Sequence, residues 1–192
     1  MEKTLIIIKP DGVQRGLIGK IFETLESTGL KLMACKMIQP DETTIENHYP
    51  HSKDWIEGMG NKTLTNFEKM GIDPKDNFEK TDALSVGEEV RKRLMKYWLE
   101  GPVVVTVWGG PSAVVVARKI RGHTFPVDAD PGTIHATFSF DNPLLATSKD
   151  RAVKTFIHAS GSVEEAEREI KYWFPNYDFV DYETLIEHLY IR

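Results

Sequence analysis

Cysteine is nearly absent from this sequence: Cys35, in LKLMACKMI, is the only one among 192 residues. No internal disulfide can brace the chain, so its stability must come from a packed core. Set among alternating apolar residues, Cys35 reads as core filler rather than as a nucleophile. Long apolar runs are missing as well. Nothing approaches the ~20 residues of a membrane span, and the opening MEKTLIIIKPDG does not read as a signal peptide's basic start and cleavage site. A cytoplasmic chain with no membrane partner is expected. Positive charge is also in deficit: the formal net charge is -5, which argues against a nucleic-acid binder while leaving room for a local basic pocket.

Several familiar motifs are missing too. The nearest approach to a P-loop, GLIGKI at 16–21, has too short a glycine spacing, and no G-x-G-x-x-G follows a strand. His48 and His51 form an isolated pair without zinc-type partners. No repeat or low-complexity tract interrupts the chain.

What is present is 41% hydrophobic sequence, enough for one domain over 1–192 with a proper core. TLIII at 4–8 reads as a strand, and Ile18, Phe22 and Leu25 have helical spacing before Gly29 ends that helix. LKLMACKMI reads as a second strand, and Asp41 can cap a short helix through DETTIENHY. VGEEVRKRLMKYWLEG is an amphipathic helix, PVVVTVW a β-branched strand, PSAVVVARKIRG a helix opened by proline, and AVKTFI another strand. The stretch between Trp55 and Val86 is rich in Gly, Asn, Lys and Asp with little periodicity, which predicts a loop or partly helical insertion at about 56–90. This order suits an α+β sandwich of one sheet with helices packed on it.

The most informative segment is FIHASGSVEEAEREI. Ser162 can cap a helix with Glu165 as its reciprocal partner, and Val163, Ala166, Ile170 and Trp173 mark the buried face. His158 and Ser160 therefore stand just ahead of a helix N-terminus, where amide groups favour an anion. Glu169, on the same side of the helix as Glu165, can reach back toward the histidine, fix its tautomer and stabilise positive charge on the ring. The competing reading is a core histidine bonded to backbone beside a solvated acidic helix. Lys9 lies at the end of a strand, where a lysine is aimed at something more often than at solvent. Arg118 taken alone reads equally well as a cation at a helix C-terminus.

Four segments in order, IIIKPDGVQRGLIG, GPVVVTVWGG, RKIRGHTFPVDADPGTI and FIHASGSVEEAEREI, resemble the nucleoside diphosphate kinase family along nearly the whole chain. The resemblance implies a ferredoxin-like fold: a four-stranded antiparallel sheet covered by helices, here with a helical or loop insertion. It also implies a homo-oligomer, with a hexamer favoured over a tetramer or dimer. The implied reaction is ping-pong transfer between nucleoside tri- and diphosphates, with His158 as the phosphorylated histidine. Ser160 and Glu169 match the residues that orient it. Lys9 matches the lysine on the sugar hydroxyl and transferred phosphate, Arg118 and Thr124 match the pair on the β-phosphate, and Tyr49 matches a tyrosine near the histidine. Mg²⁺ is implied as held by the nucleotide's phosphates, with no direct protein ligand.

Departures are equally visible. Where the family usually has arginine after PGTI, this chain has His135. Thr155 stands for a usual asparagine and Gly161 for a usual aspartate. His135 and Thr155 keep polar contacts open to the nucleotide but lose arginine's bidentate fork and asparagine's reach. If both lost contacts acted in the transition state, the cost would be on the order of 10² to 10⁴ in rate. A weaker or more pH-sensitive enzyme is expected, and the alternative is a nucleotide-binding regulatory or scaffold protein on the same fold. The connection from Tyr49 to Gly101 exceeds the family's usual one by roughly 30 residues. Within it, Trp55 is either the aromatic platform for the base or local packing.

Overall fold

The computed structural model describes residues 1–176, 178–180 and 182–190. In chain order its elements are β1 (Glu2–Ile8), α1 (Pro10–Gln14), α2 (Ile18–Glu26), β2 (Lys31–Ile38), α3 (Glu42–His48), α4 (Lys53–Met70) and α5 (Ala83–Trp98). They continue with β3 (Val103–Gly110), α6 (Ala113–Arg121), α7 (Ile134–Phe138), α8 (Pro143–Ser148), β4 (Ile157–Ala159), α9 (Val163–Trp173) and α10 (Leu185–Tyr190). The chain divides into two compact units, one of Met1–Gln39, Gly101–Phe140 and Thr155–Arg192, the other of Pro40–Glu100 and Asp141–Lys154. The expected insertion at about 56–90 falls inside the second unit. Among the described residues, no helix is long and apolar enough to cross a membrane.

The first unit is a ferredoxin-like α+β fold built on a sheet of order β2-β3-β1-β4 in which every neighbouring pair is antiparallel. Ile6 and Ile8 of β1 and Val104 and Trp108 of β3 form one core with Ile21 and Leu25 of α2 and Ala113 and Ala117 of α6. Each fully buried Ile, Leu or Val among them contributes about 1.5–3 kcal/mol. Leu5 and Ile7 point to the opposite face and are buried as completely, with α9 also packed on β1. That double cover explains why TLIII is continuously apolar instead of alternating. Two interior polar groups are satisfied in series: Trp108 Nε1 donates to Thr106 Oγ1 at 2.8 Å, and that hydroxyl donates to the Ile6 carbonyl at 2.9 Å.

Two expectations are corrected here. The strand expected in AVKTFI begins later, at Ile157, and is only three residues long. Phe156 has φ 35, a left-handed conformation that ends extended pairing before it and lets only Ile157–Ala159 join β1. Cys35 is exposed rather than core. A register shift between Leu32 and Ala34 turns Met33 and Ala34 both inward, so the alternation that would have buried Cys35 is displaced by one.

In the second unit, Asp41 caps α3 by accepting from the Thr44 amide at 2.7 Å. The span expected to be loop or partly helical is mostly helix: α4 opens on a Ser52 cap and ends at Gly71 with φ 66, and α5 opens on an Asp82 cap. The two helices pack backbone to backbone. A Cβ on Gly60 would lie 1.7 Å from the Ala83 carbonyl oxygen, and one on Gly87 would lie 2.0 Å from that of Ile56. Phe67, Phe78 and Val86 form the small core of this hairpin.

Candidate active site

β4 is too short to be stable alone and is held as an edge strand against β1, with His158 opposite Ile7. The histidine therefore lies within the strand and not beyond its end. Just before it, the kink at Phe156 directs that residue's carbonyl to the Lys9 amide at 2.9 Å, tying the end of β1 to the start of β4. A left-handed conformation at a non-glycine residue costs about 1–3 kcal/mol. Here Phe156 is completely buried and two rings meet it edge to face, His135 at 5.2 Å and Phe138 at 6.5 Å between centroids.

From α9, Glu169 reaches back to the strand. Its carboxylate lies 3.0 and 3.1 Å from Nε2 of His158, and it accepts a hydrogen bond from Ser160 Oγ at 2.6 Å. Ser160 is in turn fixed by the Leu5 amide, which donates to its hydroxyl at 3.3 Å. Glu169 is 1% exposed. A buried carboxylate only accepts, so the network assigns the ring hydrogen to Nε2 and leaves Nδ1 with its lone pair. Burial, and then the charge on Lys9, push the His158 imidazole below its ordinary value and keep it neutral. A neutral, oriented imidazole with an unprotonated Nδ1 is a nucleophile.

Lys9 follows β1 as the residue before the proline that opens α1. Its Nζ donates to Thr155 Oγ1 at 2.6 Å. Burial pulls its pKa down to about 7, with Asp11 opposing the shift and the positive charge of Arg121 adding to it. Thr155 thus stands beside the lysine, and both carry charge or hydroxyl toward the strand that bears His158.

The helix expected after His158 starts at Val163 with Ser162 as its cap, accepting from the Glu165 amide at 3.1 Å. The return half of the capping box closes one residue early, for the Glu165 carboxylate accepts from the Gly161 amide at 2.9 Å. Gly161 leaves room for that arrangement. A Cβ there would sit 2.5 Å from Glu165 Oε2 and 3.3 Å from Nη1 of Arg118. Where the resemblance implies an aspartate, the space is filled by the carboxylate of Glu165. Arg118 and Thr124 are both exposed, Arg118 in the last turn of α6 and Thr124 in the loop that follows.

His135 differs from the expectation set by its sequence position. It is 1% exposed, and Nδ1 is engaged by the His123 carbonyl at 2.5 Å. Nε2 is buried and has no hydrogen-bond partner at normal geometry among the described residues, and the Thr155 backbone also acts on the ring. Burial drives its pKa down to about 4. The pH-sensitive phosphate contact expected of His135 thus has no charge change to draw on near neutrality.

Tyr49 and Trp55 belong to the second unit, where the Tyr49 hydroxyl accepts from Trp98 Nε1 at 2.8 Å and its ring lies 5.5 Å from that of Trp55. Trp55 is therefore engaged in local packing there. Sequence reasoning passed over Arg121, which is buried at the end of α6. The available signal was its i, i+3 spacing from Arg118, which puts both on one helix face.

The family model for nucleoside diphosphate kinase matches residues 2–59 and 60–179. The nucleoside diphosphate kinase of Pyrobaculum aerophilum is 44% identical over 174 residues, covering 91% of this chain and 95% of its own. Nucleoside diphosphate kinase A of Rattus norvegicus is 34% identical over 187 residues, 97% of this chain and 95% of that one. Among solved structures, an NDP kinase from Pyrobaculum aerophilum superposes with TM-score 0.87 at 43% identity, covering 90% of this chain and 95% of its own. A transition-state mimic of the enzyme from Borrelia burgdorferi, with bound vanadate and ADP, does so with TM-score 0.76 at 32% identity, over 97% and 94%.

Proposed function

The chain belongs to the nucleoside diphosphate kinase family, and from that premise we propose that it transfers a γ-phosphoryl group reversibly from a nucleoside triphosphate to a nucleoside diphosphate through His158. Nδ1 of His158 attacks the γ-phosphorus, the bond to the oxygen bridging the β- and γ-phosphates breaks, and the diphosphate leaves with that electron pair. A second diphosphate then attacks the phosphohistidine and regenerates the ring. Glu169 keeps its hydrogen bond to Nε2–H throughout and stabilises the positive charge that spreads over the imidazole as the N–P bond forms. The observation that carries this reading is the buried chain Ser160–Glu169–His158, with contacts of 2.6 and 3.0 Å. It fixes both the tautomer and the direction of the nucleophile, and such preorientation lowers barriers by limiting the reorganisation needed at reaction.

Lys9, with Thr155 beside it, meets the transferred phosphoryl group, and Arg118 and Thr124 hold the phosphate behind it. Mg²⁺ supplies charge neutralisation on the phosphates. The cations already named at this site, Lys9 and Arg118, suit phosphate oxygens rather than a bare divalent ion, so Mg²⁺ would be held through the nucleotide's phosphates. The activity is assigned to the whole chain 1–192, in the cytoplasm where nucleotide pools lie. Assembly as a homo-oligomer, a hexamer before a tetramer or dimer, is supported by exposed apolar side chains such as Phe140, 80% accessible, and Leu189, 64%.

Initial velocities with varied ATP at several fixed concentrations of a second nucleoside diphosphate test the reaction. Parallel double-reciprocal lines are expected of a phosphoenzyme route, whereas intersecting lines would require a ternary complex and overturn it.

A further inference from the structure

The site contains a third cation that the reading above does not use. Arg121 closes α6, the helix that packs on β1 and β4, the two strands that deliver Lys9 and His158. Arg118 and Lys119 of the same turn are exposed, while Arg121 is only 9% accessible. Its Nε donates to the Gly122 carbonyl at 3.2 Å. Among the described residues, its two terminal nitrogens make no hydrogen bond and no ion pair. A guanidinium presents five donors in a fork and keeps its charge at any physiological pH. A guanidinium nine-tenths buried with its fork unoccupied is placed to take an anionic group at the part it still exposes.

The environment points the same way. The Arg121 charge acts on Lys9, on His135 and on His158, and is itself opposed by Arg118 and relieved by Glu165. Lys9 and Arg118 each repel Arg121, and a bound polyphosphate would offset that repulsion. His135 occupies the position where the resemblance implies an arginine, but it is buried, neutral, and held by the His123 carbonyl. The site therefore lacks a guanidinium at 135 and holds an unused one at 121.

We propose that Arg121 binds the phosphate chain of the nucleotide, its fork replacing at the end of α6 the guanidinium that is missing at position 135. The role rests on the phosphotransfer reading of the same cleft, and the two can fail separately.

The test compares wild type with Arg121→Gln, Arg121→Lys and the double variant Arg121→Gln/His135→Arg, using Mg·ATP and GDP. For Arg121→Gln a fall of about 10²–10³ in kcat/KM is expected, the loss typical of removing one charged donor from a developing phosphoryl charge. The fall should appear in kcat as well as in KM, with the thermal midpoint unchanged. Arg121→Lys should recover part of the loss by charge alone. The double variant should regain at least about tenfold over Arg121→Gln, since a fork is restored within the same cleft. If Arg121→Gln folds and its kcat/KM stays within about twofold of wild type, the proposal is wrong while the phosphotransfer reading stands. Should Arg121→Gln fail to fold, Arg121→Lys decides: full activity with lost stability makes Arg121 structural. Wild type that never forms a phosphoenzyme would instead overturn the phosphotransfer reading itself.

Discussion

Nε2 of His158 lies 3.0 Å from Oε2 of Glu169, and that same oxygen receives the Ser160 hydroxyl at 2.6 Å. One buried carboxylate thereby serves two donors and settles which ring nitrogen is left to react. Exchange of the carboxylate for an amide tests that directly. Glu169→Gln can present its NH₂ to Nε2 and favour the wrong tautomer, the effect that makes an Asp→Asn change so costly in serine proteases. Phosphoenzyme formation should slow by about 10²–10⁴, measured by rapid quench. Ser160→Ala should cost less, about tenfold, because Glu169 keeps its bond to the ring. Equal rates for Glu169→Gln and wild type would remove Glu169 from the mechanism.

Lys9 predicts a pH limb. Burial lowers its pKa from 10.5 to about 7, so in the nucleotide-empty protein the ammonium loses its proton as pH rises past that value. An anionic phosphate binds the charged form, so kcat/KM, which reports the unliganded enzyme, should fall by up to tenfold per unit above about pH 7. The limb in kcat should lie at higher pH, since bound phosphate raises the lysine's pKa. Lys9→Arg should flatten the kcat/KM profile across pH 6–9. A wild-type profile flat over the same range would show that the charge on Lys9 is not needed.

His135 predicts a stability effect in acid. Its pKa is lowered from 6.5 to about 4, chiefly by burial. The folded state therefore prefers the neutral ring. The resulting stability is complete above about pH 6.5 and is lost as pH falls through about 4. The span corresponds to about 3 kcal/mol at most. Urea unfolding at pH 7 and at pH 4 should show that difference in wild type and a smaller one in His135→Gln. The same pH dependence in both proteins would assign the acid sensitivity elsewhere.

Gly87 predicts a packing effect in the second unit. A Cβ at this position would stand 2.0 Å from the Ile56 carbonyl oxygen, so Gly87→Ala must push α4 and α5 apart despite alanine's better helix propensity. Overpacking of this kind costs about 1–3 kcal/mol, readable as a lower urea midpoint. Gly58→Ala, which meets no atom within 4 Å, should instead be neutral or stabilising. Equal stabilities for the two variants would contradict the close approach of the helices.

Much of this architecture is legible in the sequence, and the failures have physical causes. TLIII, the capping serine at 162 and the glycine after Ser27 and Thr28 carry local signals, and the corresponding elements form where those signals stand. The true start of β4 is not local: it depends on pairing with β1 and on a left-handed Phe156 that no propensity favours. The exposure of Cys35 is not local for a related reason, since a bulge changes which face every later residue of its strand takes. Helix α4 is hidden by a polar composition containing Gly58 and Gly60, and its order comes from caps and from packing against α5. At the site, the His158–Glu169 pairing follows from a strand and a helix read together. The neutrality of His135 and the unfilled fork of Arg121 arise from tertiary burial, which spacing along the chain does not encode.

The most direct measurement is to incubate the protein with Mg²⁺ and γ-labelled ATP, isolate it, and chase with GDP, alongside His158→Ala. Label should enter wild type, be acid-labile and alkali-stable as phosphohistidine is, leave quantitatively as GTP, and never enter His158→Ala. Label that enters the variant to the same extent, or wild type that binds nucleotide yet takes no label, would contradict His158 as the phosphoryl carrier.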